Sequence, residues 1–180
     1  MFFLAAQTAQ EQFITPTLLG ESWGFWCQFI VVLFTAIIAI YTLQKNERRA
    51  RRRATIDIVL SENQDEKFRD IKEQYAHMRS KNVNFTLLAC ETPKSQERKA
   101  EILNQQEVII AILNQYEFIA CAIYEDSLDQ DLYKRMKKSV VIRDWDVLEG
   151  FVLELRKKEG RSKIFCEIER LAKEWKSEKK

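Results

Sequence analysis

Residues 23–43 read WGFWCQFIVVLFTAIIAIYTL, 21 positions without a formal charge. At about 1.5 Å per residue a helix of that length reaches roughly 31 Å, the thickness of a bilayer's hydrocarbon core. Behind it Lys45, Arg48, Arg49, Arg51, Arg52 and Arg53 set six positive charges against the single negative charge of Glu47. Such a run stops transfer and, by the positive-inside rule, holds its side in the cytoplasm and against anionic inner-leaflet lipid. The expectation is a single-pass anchor with its N-terminus outside and its C-terminal part inside. Trp23 and Trp26 mark the outer interface and Tyr41 the inner one, as amphipathic rings do at headgroup level.

This division sets the domain plan. Residues 1–22 read as a short extracytoplasmic tail, with Phe2, Phe3 and Phe13 resting in the interface. The tail has neither the basic start nor the long apolar stretch of a secretory signal. Residues 23–43 form the transmembrane helix, 44–53 the basic juxtamembrane segment and 54–180 a cytosolic helical domain. Gly occurs 4 times and Pro twice in 180 residues. Scarce breakers among abundant Glu, Lys, Gln, Leu and Ile predict an all-α fold, an N-terminal membrane helix followed by a helical bundle. Charges beyond residue 53 alternate in sign, so the domain lacks the basic stripe of a nucleic-acid binder.

Within the apolar stretch Gln28, Thr35 and Thr42 recur every seven residues, with Gly24 close by on the same side. In lipid, helices associate through small residues and interhelical hydrogen bonds, so this stripe is a candidate self-association face and points to a homo-oligomer. The competing reading has each Thr bonding to the carbonyl four residues back.

Further along, Ile56, Val59 and Leu60 share one helical face, and Phe68, Ile71, Tyr75 and Met78 predict a surface helix over 65–80, with His77 beside its apolar face. Residues 82–94 read as a loop, since Pro93 and the asparagines disfavour a helix. Ser95 then stands as N-cap of a long helix over 96–126, in which Ile102, Ile109, Tyr116 and Ile123 repeat every seven residues, joined by Leu113 and Ala120. Apolar residues surround 108–124 almost completely, which marks a core helix. A second membrane span is the rival, but Asn114, Gln115 and Glu117 near its middle make that costly.

Ser127 is the expected cap of the next helix, with Asp129, Gln130 and Asp131 in its first turn. The run DSLDQD lacks the central Gly and distal Glu of a calcium loop. Residues 132–138 and 140–158 form a hairpin or one bent helix, with Gly150 too interior to be a cap. Gly160 interrupts the chain, Ser162 caps a last helix, and Ile164, Phe165, Ile168, Leu171, Ala172 and Trp175 line its apolar side. The four cysteines, none in CxxC spacing, and the single histidine predict neither disulfide nor zinc. No cofactor is expected.

The run from Ile112 through Ala120, the acidic turn at 129–131 and the Arg143–Asp144–Trp145 segment resemble a bacterial family known as domain of unknown function 4760. The resemblance covers roughly residues 54–158 and is strongest over 114–156. It implies a helical domain behind a membrane helix, in a bacterial or phage-linked protein of the inner membrane. It carries no activity. The family's central element maps onto Asn114, Tyr116, Glu117 and Phe118. Physically, Asn114 and Glu117 lie one turn apart on a helix expected to be buried, so both need partners. Arg143 is the expected partner of Glu117, giving a buried polar network of Asn114, Glu117 and Arg143, with Tyr116, Phe118 and Trp145 as core residues.

Three functions compete. The first is a membrane-anchored interaction protein that recruits or blocks an unknown protein partner, in its concrete form a phage-linked defence or exclusion accessory. The second is an oligomeric membrane-permeabilising effector. The third, an enzyme with Glu117 as base, lacks a nucleophile, histidine or metal set and is set aside, so no catalysis is expected.

Overall fold

The computed structural model describes residues 17–18, 21–90 and 95–178. The interfacial placement of Phe2, Phe3 and Phe13, and most of the expected tail, lie outside them. Thr17–Leu18 (β1) and Glu21–Ser22 (β2) pair antiparallel over two residues each. The other described elements are helices: α1 (Trp23–Gln64), α2 (Glu66–Ser80), α3 (Phe85–Cys90), α4 (Gln96–Tyr124), α5 (Gln130–Glu159) and α6 (Cys166–Ser177). The chain divides into two compact units, one ending at Glu47 and one covering Arg48–Lys180.

In the first unit, the large apolar side chains of α1 other than half-buried Trp26 are exposed, from Phe25 at 48% to Val31 at 64%. Trp26 sits edge-on between Phe25 and Phe29. Thr35 and Thr42 donate their hydroxyls to the carbonyls of Val31 and Ile38, each at 2.8 Å. Two described helices are long and apolar enough to cross a membrane, α1 and α4. They differ in what covers them: in α4 Val108, Ile109, Ile112, Leu113, Ile119, Ala120 and Ile123 are buried in the protein's own core.

The second unit is built around α4 and α5. Helix α6 packs on both, α3 lies along α5, and α2 lies along α4. Trp175, Tyr133, Phe151, Ile109, Leu113 and Leu148 are among the most buried side chains. The seven-residue repeat on α4 thus faces inward as expected.

Several local expectations are corrected. Residues 82–94 are not all loop, because 85–90 form α3, which buries Phe85, Leu88 and Ala89; residues 91–94 lie outside the described residues. Asn84 starts that helix by accepting from the Leu87 amide at 3.2 Å. Of the two readings of residues 132–158, a hairpin or one helix, the structure takes the second, as α5. Gly150 lies in its middle because α3 passes close by: a Cβ there would stand 2.2 Å from the Thr86 hydroxyl oxygen. The α5 cap is Asp129, not Ser127, and the residue before α6 is Phe165, not Ser162. Ser95 caps α4 as expected, accepting from the Arg98 amide at 3.2 Å, and Gly160 closes α5 in the left-handed region at φ 64°.

The inward face of α1 beyond Arg48 is also different. Ile56 and Leu60 are exposed, while the buried residues are Thr55 and Glu62, flanked by half-buried Ile58 and Val59. Polar contacts help hold this segment to its unit. Thr55 donates to the Arg51 carbonyl and accepts from the Asp129 amide, both at 2.8 Å.

Candidate functional site

A cavity of about 220 Å³ opens among the end of α1, α2, α4 and α5. Its walls follow from helical spacing. Lys72, Tyr75 or Ala76, and Arg79 fall on one stripe of α2; Ile112, Gln115 and Tyr116 share a face of α4; Lys137, Val140 and Asp144 share a face of α5. Phe68, Tyr75, Ala76, Ile112 and Val140 supply the apolar surface.

Two carboxylates lie at its base, Glu62 and Asp144, 6% and 3% exposed. A buried carboxylate is tolerated only when its oxygens are bonded and its charge is matched. Both conditions are met twice, in parallel. Oε2 of Glu62 accepts from Lys72 at 3.2 Å and Lys137 at 3.1 Å, and Oε1 accepts from Gln115 at 3.3 Å. Oδ1 of Asp144 accepts from Arg79 at 2.9 Å and Arg143 at 3.0 Å, and Oδ2 accepts from the Tyr116 hydroxyl at 2.8 Å. Burial first, and then the Asp144 charge, push the Tyr116 and Tyr75 phenols well above their ordinary range, so both stay protonated donors. The hydroxyl of Tyr75 is buried and has no hydrogen-bond partner.

The expected network of Asn114, Glu117 and Arg143 is not brought together. Asn114 is exposed, and Arg143, half exposed, turns to Asp144. Glu117 turns to α6 instead, where its two oxygens accept from the amides of Glu167 at 3.2 Å and Ile168 at 2.8 Å. The reason lies at that helix start: Phe165 adopts φ 57° and offers no side-chain cap, so the free amides take a carboxylate from another helix. Of the residues expected in the core, Trp145 is buried, Tyr116 reaches Asp144, and Phe118 is 59% exposed. His77 is exposed.

Sequence reasoning missed Glu62, Lys72, Arg79, Lys137 and Asp144. One signal was present. Asp144 falls in register with Val141, Trp145, Leu148 and Val152, all buried, and a carboxylate inside an apolar register demands partners.

Glu117→Ala is expected to lower stability by about 1–2 kcal/mol, the range of a charge-assisted cap. Glu117→Gln, keeping one acceptor, should lose about half as much. Denaturant midpoints of the full chain in detergent, with hydrogen exchange at the Glu167 and Ile168 amides, check it. Unchanged exchange in Glu117→Ala contradicts the cap.

Of the basic run, Arg51 pairs with Asp126 at 2.9 Å and Arg52 with Asp129 at 3.0 Å. Lys45 lies 5.8 Å from the Tyr41 ring centre, and Arg48, Arg49 and Arg53 are exposed. Burial tends to raise the Asp129 pKa, but the Leu132 amide and Arg52 outweigh it and the net shift is downward. A carboxyl depressed on folding stabilises above its unfolded value and loses that contribution as pH falls through its folded value. The stability gap between wild type and Asp129→Asn should therefore be full at neutral pH and close as pH drops below about 4. A gap that is constant between pH 7 and 3 in paired unfolding titrations contradicts this assignment.

Apart from the short β1–β2 pair, the described residues define a helical protein with exposed apolar side chains over the first half of α1 and a charged cavity among the end of α1, α2, α4 and α5. The chain matches the family model described as Domain of unknown function (DUF4760) over residues 29–175 and belongs to that family. The match is wider than the 54–158 expected from the motifs, running from inside the uncharged stretch into α6. No curated protein and no solved structure matches the chain.

Proposed function

We propose that the protein is a single-pass, membrane-anchored helical interaction module, with the unit from Arg48 onward on the cytoplasmic face of a bacterial inner membrane. One observation carries this reading: the apolar side chains of 23–43 are exposed along α1, although exposed apolar area costs roughly 25 cal/mol per Å² in water. Lipid relieves that cost, and the exposed Arg48, Arg49 and Arg53 suit anionic headgroups. A binding role fits better than catalysis with Glu117 as base, because both oxygens of Glu117 are engaged by α6 amides. Self-association, a protein partner and a phage-linked exclusion role belong to the same proposal. The permeabilising alternative and the Gln28–Thr35–Thr42 stripe as the self-association face both draw less support, since Thr35 and Thr42 donate their hydroxyls to carbonyls of their own helix.

The test is sodium carbonate extraction of membranes, together with protease access to a tag fused after Lys180 in intact spheroplasts. Retention in the pellet with a protected tag is the expected result. Release into the supernatant overturns the anchor, and a tag cleaved in intact spheroplasts overturns the topology.

A further inference from the structure

We infer that the cavity between α1, α2, α4 and α5 is a binding site for a small organic oxyanion, a carboxylate or phosphate ester on a compact apolar body. The argument begins with what its walls have left to offer. Every oxygen of Glu62 and Asp144 already accepts at least one hydrogen bond. The carboxylates are therefore poor ligands for an incoming cation. The donors are not exhausted: an ammonium has three N–H groups and a guanidinium five, and Lys72, Lys137, Arg79 and Arg143 each spend one on these carboxylates in the bonds above. Four cations face two anions, so the lining carries an excess of two positive charges. A cavity with surplus donors and surplus positive charge selects an acceptor with negative charge.

The remaining wall fixes the other half of the ligand. Phe68, Tyr75, Ala76, Ile112 and Val140 present apolar surface. An apolar cavity of about 150 Å³ holds benzene, so 220 Å³ has room for one ring and an oxyanion head. This inference does not depend on the membrane reading, and its test leaves topology untouched.

The full chain in neutral detergent is titrated calorimetrically with phenyl phosphate and with benzoate, and with phenol as the uncharged control. Saturable one-to-one binding of at least one anion, about tenfold or more tighter than phenol, is the expected result. The arm that binds distinguishes phosphate from carboxylate. Lys72→Gln with Arg143→Gln leaves one cation on each carboxylate, and should weaken that anion about tenfold while thermal unfolding stays close to wild type. If the double variant does not fold, Lys72→Gln alone, which leaves Lys137 on Glu62, takes its place with an expected loss of about threefold. Absence of saturation by both anions, phenol binding as tightly as either, or unchanged affinity in the folded variant overturns the site.

Discussion

Asp144→Ala is expected to lower the unfolding free energy by about 3–5 kcal/mol, the cost of removing one partner from a buried charge network. The substitution strips the acceptor from Arg79, Arg143 and the Tyr116 hydroxyl at once. Arg143 is half exposed and can return to water. Arg79, with a side chain 33% exposed, and the half-buried phenol of Tyr116 regain water less readily. Asp144→Asn keeps the shape and one good acceptor, so its loss should be smaller, while Tyr116→Phe should cost about 1 kcal/mol for a single hydrogen bond. Denaturant unfolding of the full chain in detergent, followed by tryptophan fluorescence, reads all three. An Asp144→Ala loss below about 1 kcal/mol would show that the carboxylate does not organise the α2–α4–α5 junction.

The second large effect is expected in the core beneath α6. Trp175 is fully buried, packs beside the Tyr133 ring at 6.2 Å, and lies on α6, which closes over both α4 and α5. Trp175→Ala should cost about 3–5 kcal/mol, the range for emptying an aromatic core position. Its indole N–H is buried without a hydrogen-bond partner, and an unpaired buried donor carries a penalty of about 1–3 kcal/mol. Trp175→Phe removes that donor together with part of the ring, so its loss should be only about 1 kcal/mol. The comparison is informative because volume alone predicts a larger gap from wild type. Equal losses for the two variants would contradict it.

Much of the helical layout was legible in the chain. The heptad from Ile102 to Ile123 identified α4 as a core helix, since apolar residues on nearly every side of a helix require neighbours on every side. Ser95 before α4 and Gly160 after α5 were readable because capping depends on local backbone geometry. Where several residues of one chemistry stand close together, local reading went astray. Ser127 and Asp129 both suit an N-cap, and the choice fell to Asp129 because Thr55 of α1 binds its amide and Arg52 its carboxylate. The helix at 85–90 was hidden because six residues make too short a period to stand out, and its burial against α5 is what stabilises it.

Glu117 shows the same limit in the candidate site. Its need for a partner followed from its place on a core helix, and that need is met. The partner came from an unlikely direction, a helix start left uncapped by Phe165 fifty residues away. Nothing in the spacing of Asn114, Glu117 and Arg143 carries that information.

By itself, then, the sequence determined helix content, the long uncharged stretch ahead of the arginines and the inward stripe of α4, because propensity, charge and periodicity act within one or two turns. Tertiary structure decided which charge meets which: Glu62 with Lys72 and Lys137, Asp144 with Arg79 and Arg143, Glu117 with α6. Apart from the adjacent Arg143 and Asp144, those pairs span ten to seventy-five residues. A buried charge specifies only that it must be neutralised, and the packing of the helices selects the donor.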